Sequence, residues 1–122
     1  MKEEIINWIN NIQQIDGIPP KEVIAFNFGI YEDVTGYRMY FAGSFEYDEN
    51  DDDWACIELP TKPYRYLNFP EKLKSEPWNK ILNYSANALM ELEKEGKLNI
   101  PLLENAIAIT IGFDDGELIR IR

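Results

Sequence analysis

Apolar residues recur along the chain at two spacings, and the two periods divide it into elements. Over residues 3–15, Ile5, Trp8, Ile9 and Ile12 repeat at intervals of three and four, with Asn7, Asn10, Asn11 and Gln13 elsewhere. That period predicts an amphipathic helix. Glu3 and Glu4 in its first turn suit the helix dipole, and Asp16-Gly17 followed by Pro19-Pro20 stops it. Residues 23–31 change to a period of two, which predicts a strand: Ile24, Phe26, Phe28 and Ile30 fall on one face and Asn27, Gly29 and Tyr31 on the other. After a turn at 32–36, residues 37–45 give a second strand. Its Tyr37, Met39, Phe41 and Phe45 share one face, while Arg38, Tyr40, Ser44 and then Glu46 share the other. A hairpin is the simplest pairing of the two.

An acidic loop follows, and a third short strand is expected over 54–59. Pro60, Pro63, Pro70 and Pro77 break every period across 60–77, where Tyr64, Tyr66, Leu67 and Phe69 should hold the segment against the domain. Ser75-Glu76-Pro77-Trp78 opens a second helix, with Ser as cap and Pro in the first turn. Trp78, Ile81, Leu82, Ser85, Leu89 and Leu92 lie along its apolar side, and Gly96 closes it. Residues 106–113 read as a strand presenting Ile107, Ile109, Ile111 and Phe113. Asp114-Asp115-Gly116 turns the chain, and 118–122 return as the last strand with Ile119 and Ile121 inward. The predicted fold class is α+β, in the order helix, three strands, helix, two strands. A single sheet of about five mainly antiparallel strands would carry both helices on one face, in one domain covering 1–122.

Length and charge narrow the function. At 122 residues the chain can bury a core without covalent staples. The formal charge is −10, from 22 acidic and 12 basic residues. Such a field repels phosphate backbones, so nucleic-acid binding is not expected. It favours a basic protein partner and fast, salt-sensitive association, although an acidic surface also serves solubility alone. No apolar run approaches the ~18 residues of a membrane span, so no membrane contact is expected. The opening Met-Lys-Glu-Glu-Ile-Ile-Asn-Trp lacks the apolar core of a signal peptide. A cytoplasmic location is the expectation.

The sequence offers little for catalysis. There is no histidine, which removes the commonest general base and metal ligand. The single cysteine, Cys56, stands between Ala55 and Ile57 and reads as an inert buried thiol. Gly29, Gly36 and Gly43 lack the spacing of a phosphate-binding loop. Carboxylates abound, but nothing marks out a catalytic pair. No enzymatic activity and no cofactor are expected.

The densest charge lies at 47–58. Asp48-x-Asn50-x-Asp52 matches the first three ligand positions of a calcium loop, but Asp53 stands where glycine is needed and Leu59 where a bidentate glutamate is needed. One function open to Asp48–Asp53 is therefore that of a small ligand- or metal-binding regulatory domain. The other is a contact surface. If Ile24, Phe26, Phe28, Met39 and Phe41 face the helices, the opposite face presents Asn27, Tyr31, Arg38, Tyr40, Ser44 and Glu46, a mixture that suits a protein interface. A solvated sheet face ending in a solvated loop accounts for the same residues. The candidate partner-binding residues are Asn27, Tyr31, Tyr40, Glu46, Asp48, Glu49, Asp51, Asp52 and Asp53.

The runs Phe26-Asn27-Phe28-Gly29-Ile30-Tyr31-Glu32, Gly36-Tyr37, Gly43-Ser44, Asp53-Trp54-Ala55-Cys56 and Gly112-Phe113-Asp114-Asp115-Gly116-Glu117 resemble small immunity proteins of bacterial polymorphic toxin systems. The resemblance covers the strands and the acidic loop. It implies a non-enzymatic cytoplasmic protein that binds and neutralises a cognate toxin. An acidic surface of this kind would suit a basic nuclease toxin, with Asp48, Glu49, Asp51, Asp52 and Asp53 set against the lysines and arginines that otherwise hold substrate phosphates.

Overall fold

A computed structural model describes residues 1–55 and 59–122. Its elements are α1 (Lys2–Asp16), β1 (Ala25–Asp33), β2 (Gly36–Ser44), β3 (Tyr66–Asn68), α2 (Trp78–Lys94), β4 (Ala108–Phe113) and β5 (Ile119–Arg120). This is the α+β order that the apolar spacing predicts. The strands form one mixed sheet in the order β3-β2-β1-β4-β5. Three neighbouring pairs are antiparallel, and β1 runs parallel to β4.

Both helices pack on one face. Ile5, Trp8, Ile9 and Ile12 of α1 join Ile81, Leu89 and Leu92 of α2 over Phe26, Phe28, Ile30, Met39, Phe41, Ile109 and Ile111 of the strands. The centre is aromatic. Phe41 lies 5.1 Å from both Phe26 and Phe28, and Trp8 meets Phe28 and Phe41 edge-on at 6.0 and 6.5 Å. Such offset and edge contacts add to area burial. The Trp8 indole donates to the Tyr64 carbonyl at 2.9 Å, and Phe69 is buried. The proline-rich segment is thereby held against the helices, as its aromatic residues predict. Among the described residues no helix is long and apolar enough to cross a membrane.

The third strand is a correction. It is Tyr66–Asn68, on the edge beside β2, and not 54–59. Asp52–Ala55 form a 3-10 turn, and 56–58 lie outside the described residues, so the expectation of a buried Cys56 falls there too. The turn wins locally because Asp side chains bond nearby backbone N–H groups and so compete with strand pairing. Neighbouring prolines confine Tyr66–Asn68 to a short edge strand.

Smaller differences follow from where elements end. Helix α2 starts beyond Pro77 with no side-chain cap, so Ser75 does not cap it. Trp78 begins the helix and is exposed, and Phe45 and Ile107 stand just outside β2 and β4 and are exposed as well. Gly96 does close α2. With φ at 75° it donates to the Glu93 carbonyl at 3.1 Å, while Lys97 donates to Leu92 at 3.0 Å, the paired C-terminal bonds that favour glycine.

Arg122 ties the end of β5's chain segment to α2. Its Nε and Nη2 donate to the two carboxylate oxygens of Glu93 at 2.6 and 2.8 Å, and Nη1 donates to the Leu103 carbonyl at 2.9 Å. The hydrogen bonds to the guanidinium hold the Glu93 carboxyl below its ordinary 4.5. A lowered carboxylate contributes stability above its unfolded value and loses it as pH falls through the folded one. Arg122→Met should therefore cost about 1–2 kcal/mol at pH 7, discounted for partial exposure. Urea unfolding at pH 7 and pH 3 checks this. The gap between wild type and variant should shrink at the lower pH, and an equal gap at both would contradict it.

Candidate protein-binding surface

The second sheet face is built of small residues. Because β1 and β4 pair in parallel register, Ala25, Asn27 and Gly29 stand beside Ala108, Thr110 and Gly112. Across β1, Asn27 faces Ala42 and Gly29 faces Tyr40. Together they make a trough, and three side chains fill it. The Tyr40 ring lies across Gly29, where an added Cβ would come within 2.1 Å of the ring. Leu118 covers Gly112. Trp54 packs on Ala25 and Ala108 with Tyr47, Ala55 and Leu118 around it.

Trp54 gives the acidic loop its position. Ser44 Oγ accepts from the Glu46 N–H at 3.1 Å, Asp48 Oδ1 from Asn50 at 2.9 Å, and Asp51 Oδ1 from Asp53 at 3.0 Å. Each is the local bond by which Asp and Ser stabilise turns. The 3-10 turn then drops Trp54 onto the sheet, where its ring meets Tyr47 edge-on at 5.2 Å. Arg120 clamps the other side. It stacks 5.1 Å from the Tyr47 ring and pairs with Glu49 at 3.8 Å. Asp52 Oδ2 accepts from the Leu118 N–H at 3.3 Å. The buried Trp54 indole N–H has no hydrogen-bond partner. Such a group costs about 1–3 kcal/mol, so the anchor holds by apolar area alone.

The expected site residues divide into three groups. Glu46, Asp48, Asp51 and Asp53 surround one open cavity of about 500 Å³, with Ile24, Tyr47 and Trp54 as its walls. Glu49 and Asp52 are engaged by Arg120 and by the Leu118 amide. Asn27 and Tyr40 are a correction: both are buried, so the open sheet face expected from strand alternation is covered at these positions. Asn27 Oδ1 accepts from Thr110 Oγ1 at 2.9 Å, and Tyr40 donates to Asp114 Oδ1 at 2.5 Å. The cause is the loop itself, which lies over the face it was expected to adjoin.

Tyr31 is half-buried in an aromatic cluster. Its ring stands 6.3 Å from Tyr40 and 6.1 Å from Tyr66, and Arg38 stacks 4.7 Å over Tyr66 and 5.9 Å from Tyr31. Burial, with the nearby Tyr31 as a smaller cause, pushes the Tyr66 phenol above its ordinary value of 10.0, so the cluster is un-ionised at neutral pH.

Among the described residues no three acidic or cysteine side chains converge in a way that could hold a metal ion. The Asp48–Asp53 carboxylates point outward or bond the loop's own backbone. Sequence reasoning missed Arg120 as a clamp and the small-residue trough. The available signal was the run of small residues at alternate positions, 25-27-29 and 108-110-112, which marks a face that must be covered. Comparison with protein-family models, with curated proteins and with solved structures found no match to this chain.

Proposed function

We propose that this chain is a non-enzymatic binding protein of the immunity type, which neutralises a basic toxin domain in the cytoplasm by covering it. The observation that carries the proposal is the preset acidic cavity. Glu46, Asp48, Asp51 and Asp53 surround it, while Trp54 on the sheet and Arg120 on Tyr47 hold the loop in place. A loop ordered in advance loses less entropy on binding than a floppy one. The net charge of −10 steers a basic partner to that tip. Occlusion needs no proton transfer, which agrees with a chain that has no histidine.

The test is co-expression with the toxin-like reading frame immediately upstream. The wild-type chain should restore growth and co-purify with the toxin domain. The triple variant Asp48→Asn, Asp51→Asn, Asp53→Asn retains the carbonyl oxygens that bond the loop backbone, so it should melt with the wild type. It should nonetheless bind at least about tenfold more weakly. No co-purifying partner, or equal protection by the variant, would overturn the proposal.

A further inference from the structure

A second cavity, of about 660 Å³, opens where the end of β1, the turn after β4 and the first turn of α2 meet. Its walls are aromatic: Tyr31, Phe113 and Trp78. Its rim is acidic: Glu32, Asp114 and Asp115. Trp78 stands edge-on to Phe113 at 6.0 Å and yet is 60% exposed, an unusual state for an indole that could have packed. Among the described residues none of the three rim carboxylates makes an ion pair. Asp114 is held in place because Tyr40 donates to its Oδ1 and its own N–H donates to the Ile30 carbonyl at 3.3 Å.

We propose that this groove receives an arginine side chain of the protein partner, stacked on Trp78 and Tyr31 and paired with the rim carboxylates. The proposal rests on the basic-partner function above and adds an anchor point to it. Charge complementarity selects a cation: three unpaired carboxylates outweigh the partial positive charge of about half a unit at the start of α2. Aromatic walls favour a planar, weakly hydrated guanidinium over an ammonium. The same protein already makes this contact internally, with the Arg38 guanidinium over Tyr66 and Tyr31. A central aromatic pocket filled by arginine is also the kind of contact that dominates interface energy.

The probes are the capped tripeptides Gly-Arg-Gly, Gly-Lys-Gly and Gly-Leu-Gly, titrated into the ¹⁵N-labelled chain. The arginine peptide should shift the Trp78 indole and Tyr31 amide signals saturably, binding roughly fivefold tighter than the lysine peptide, with no saturable shift from the leucine peptide. Asp114→Asn with Asp115→Asn should weaken the arginine peptide about fivefold or more. Trp78→Ala should abolish the Tyr31 shift without changing the melting temperature, because the side chain is exposed. Shifts confined to residues 46–53, equal binding of the leucine peptide, or a Trp78 shift on concentrating the chain alone would each overturn the proposal, the last because a second copy then fills the groove. The failures separate cleanly. If the toxin domain is captured equally by wild type and Trp78→Ala, the groove proposal fails and the immunity function stands. If the arginine peptide fills the groove but no basic partner is captured, the immunity function fails.

Discussion

Replacing Trp54 by alanine is expected to destabilise the protein by about 3 kcal/mol and to release the acidic loop from the sheet. Removal of a buried tryptophan side chain ordinarily costs about 3–5 kcal/mol. The lower end applies because the substitution also removes a buried N–H that lacks a partner. Only Ala25 and Ala108 lie beneath the ring, and neither can grow into the space it leaves. Urea unfolding gives the magnitude, and amide exchange over 46–55 gives the location. Those amides should lose protection while those of β1 and β4 keep theirs. Trp54→Phe should cost less, about 1 kcal/mol, since it keeps the ring contact and discards the unpaired donor. A loss below 1 kcal/mol for Trp54→Ala would show that the loop is held by its own turns and not by its anchor.

Gly29→Val should cost about 3 kcal/mol, although valine is the better strand former. An added Cβ would meet the Tyr40 ring at 2.1 Å, so the ring must swing off the sheet. Overpacking of this kind costs about 1–3 kcal/mol, and losing the Tyr40–Asp114 hydrogen bond adds about 1 kcal/mol. The second-site check is Tyr40→Ala. In that background Gly29→Val should be nearly neutral, because the two changes act on one contact and cannot add. An unchanged cost in the double variant would place the strain elsewhere.

Much of this architecture is legible from periodicity. Ile5, Trp8, Ile9 and Ile12 are the buried face of α1, and the alternation of Phe26, Phe28 and Ile30 sets the helix-facing side of β1. The β1–β2 hairpin pairs Asp33 with Gly36 around Val34-Thr35, as the turn residues indicate. Periodicity fails where local polar groups decide. Around Trp54 an alternating pattern gave way to a 3-10 turn, because acidic side chains bonded the backbone and the indole found a trough of alanines. The covered second face was written in small residues, Ala25, Asn27 and Gly29 against Ala108, Thr110 and Gly112, a signal that means burial only once the parallel register is known. The aromatic groove draws on Tyr31, Trp78 and Phe113, which stand far apart in the sequence and meet only through the sheet order.

The acidic tip and the aromatic groove call for the same partner chemistry, and the preset cavity at Glu46, Asp48, Asp51 and Asp53 is the more exposed of the two to long-range attraction. The association rate of the upstream-encoded toxin domain, followed by stopped flow at rising ionic strength, tests this most directly. The wild-type rate should fall steeply with salt. The Asp48→Asn, Asp51→Asn, Asp53→Asn variant should start slower and fall less steeply, with an unchanged melting temperature. Identical rates and salt slopes for the two proteins would contradict the account.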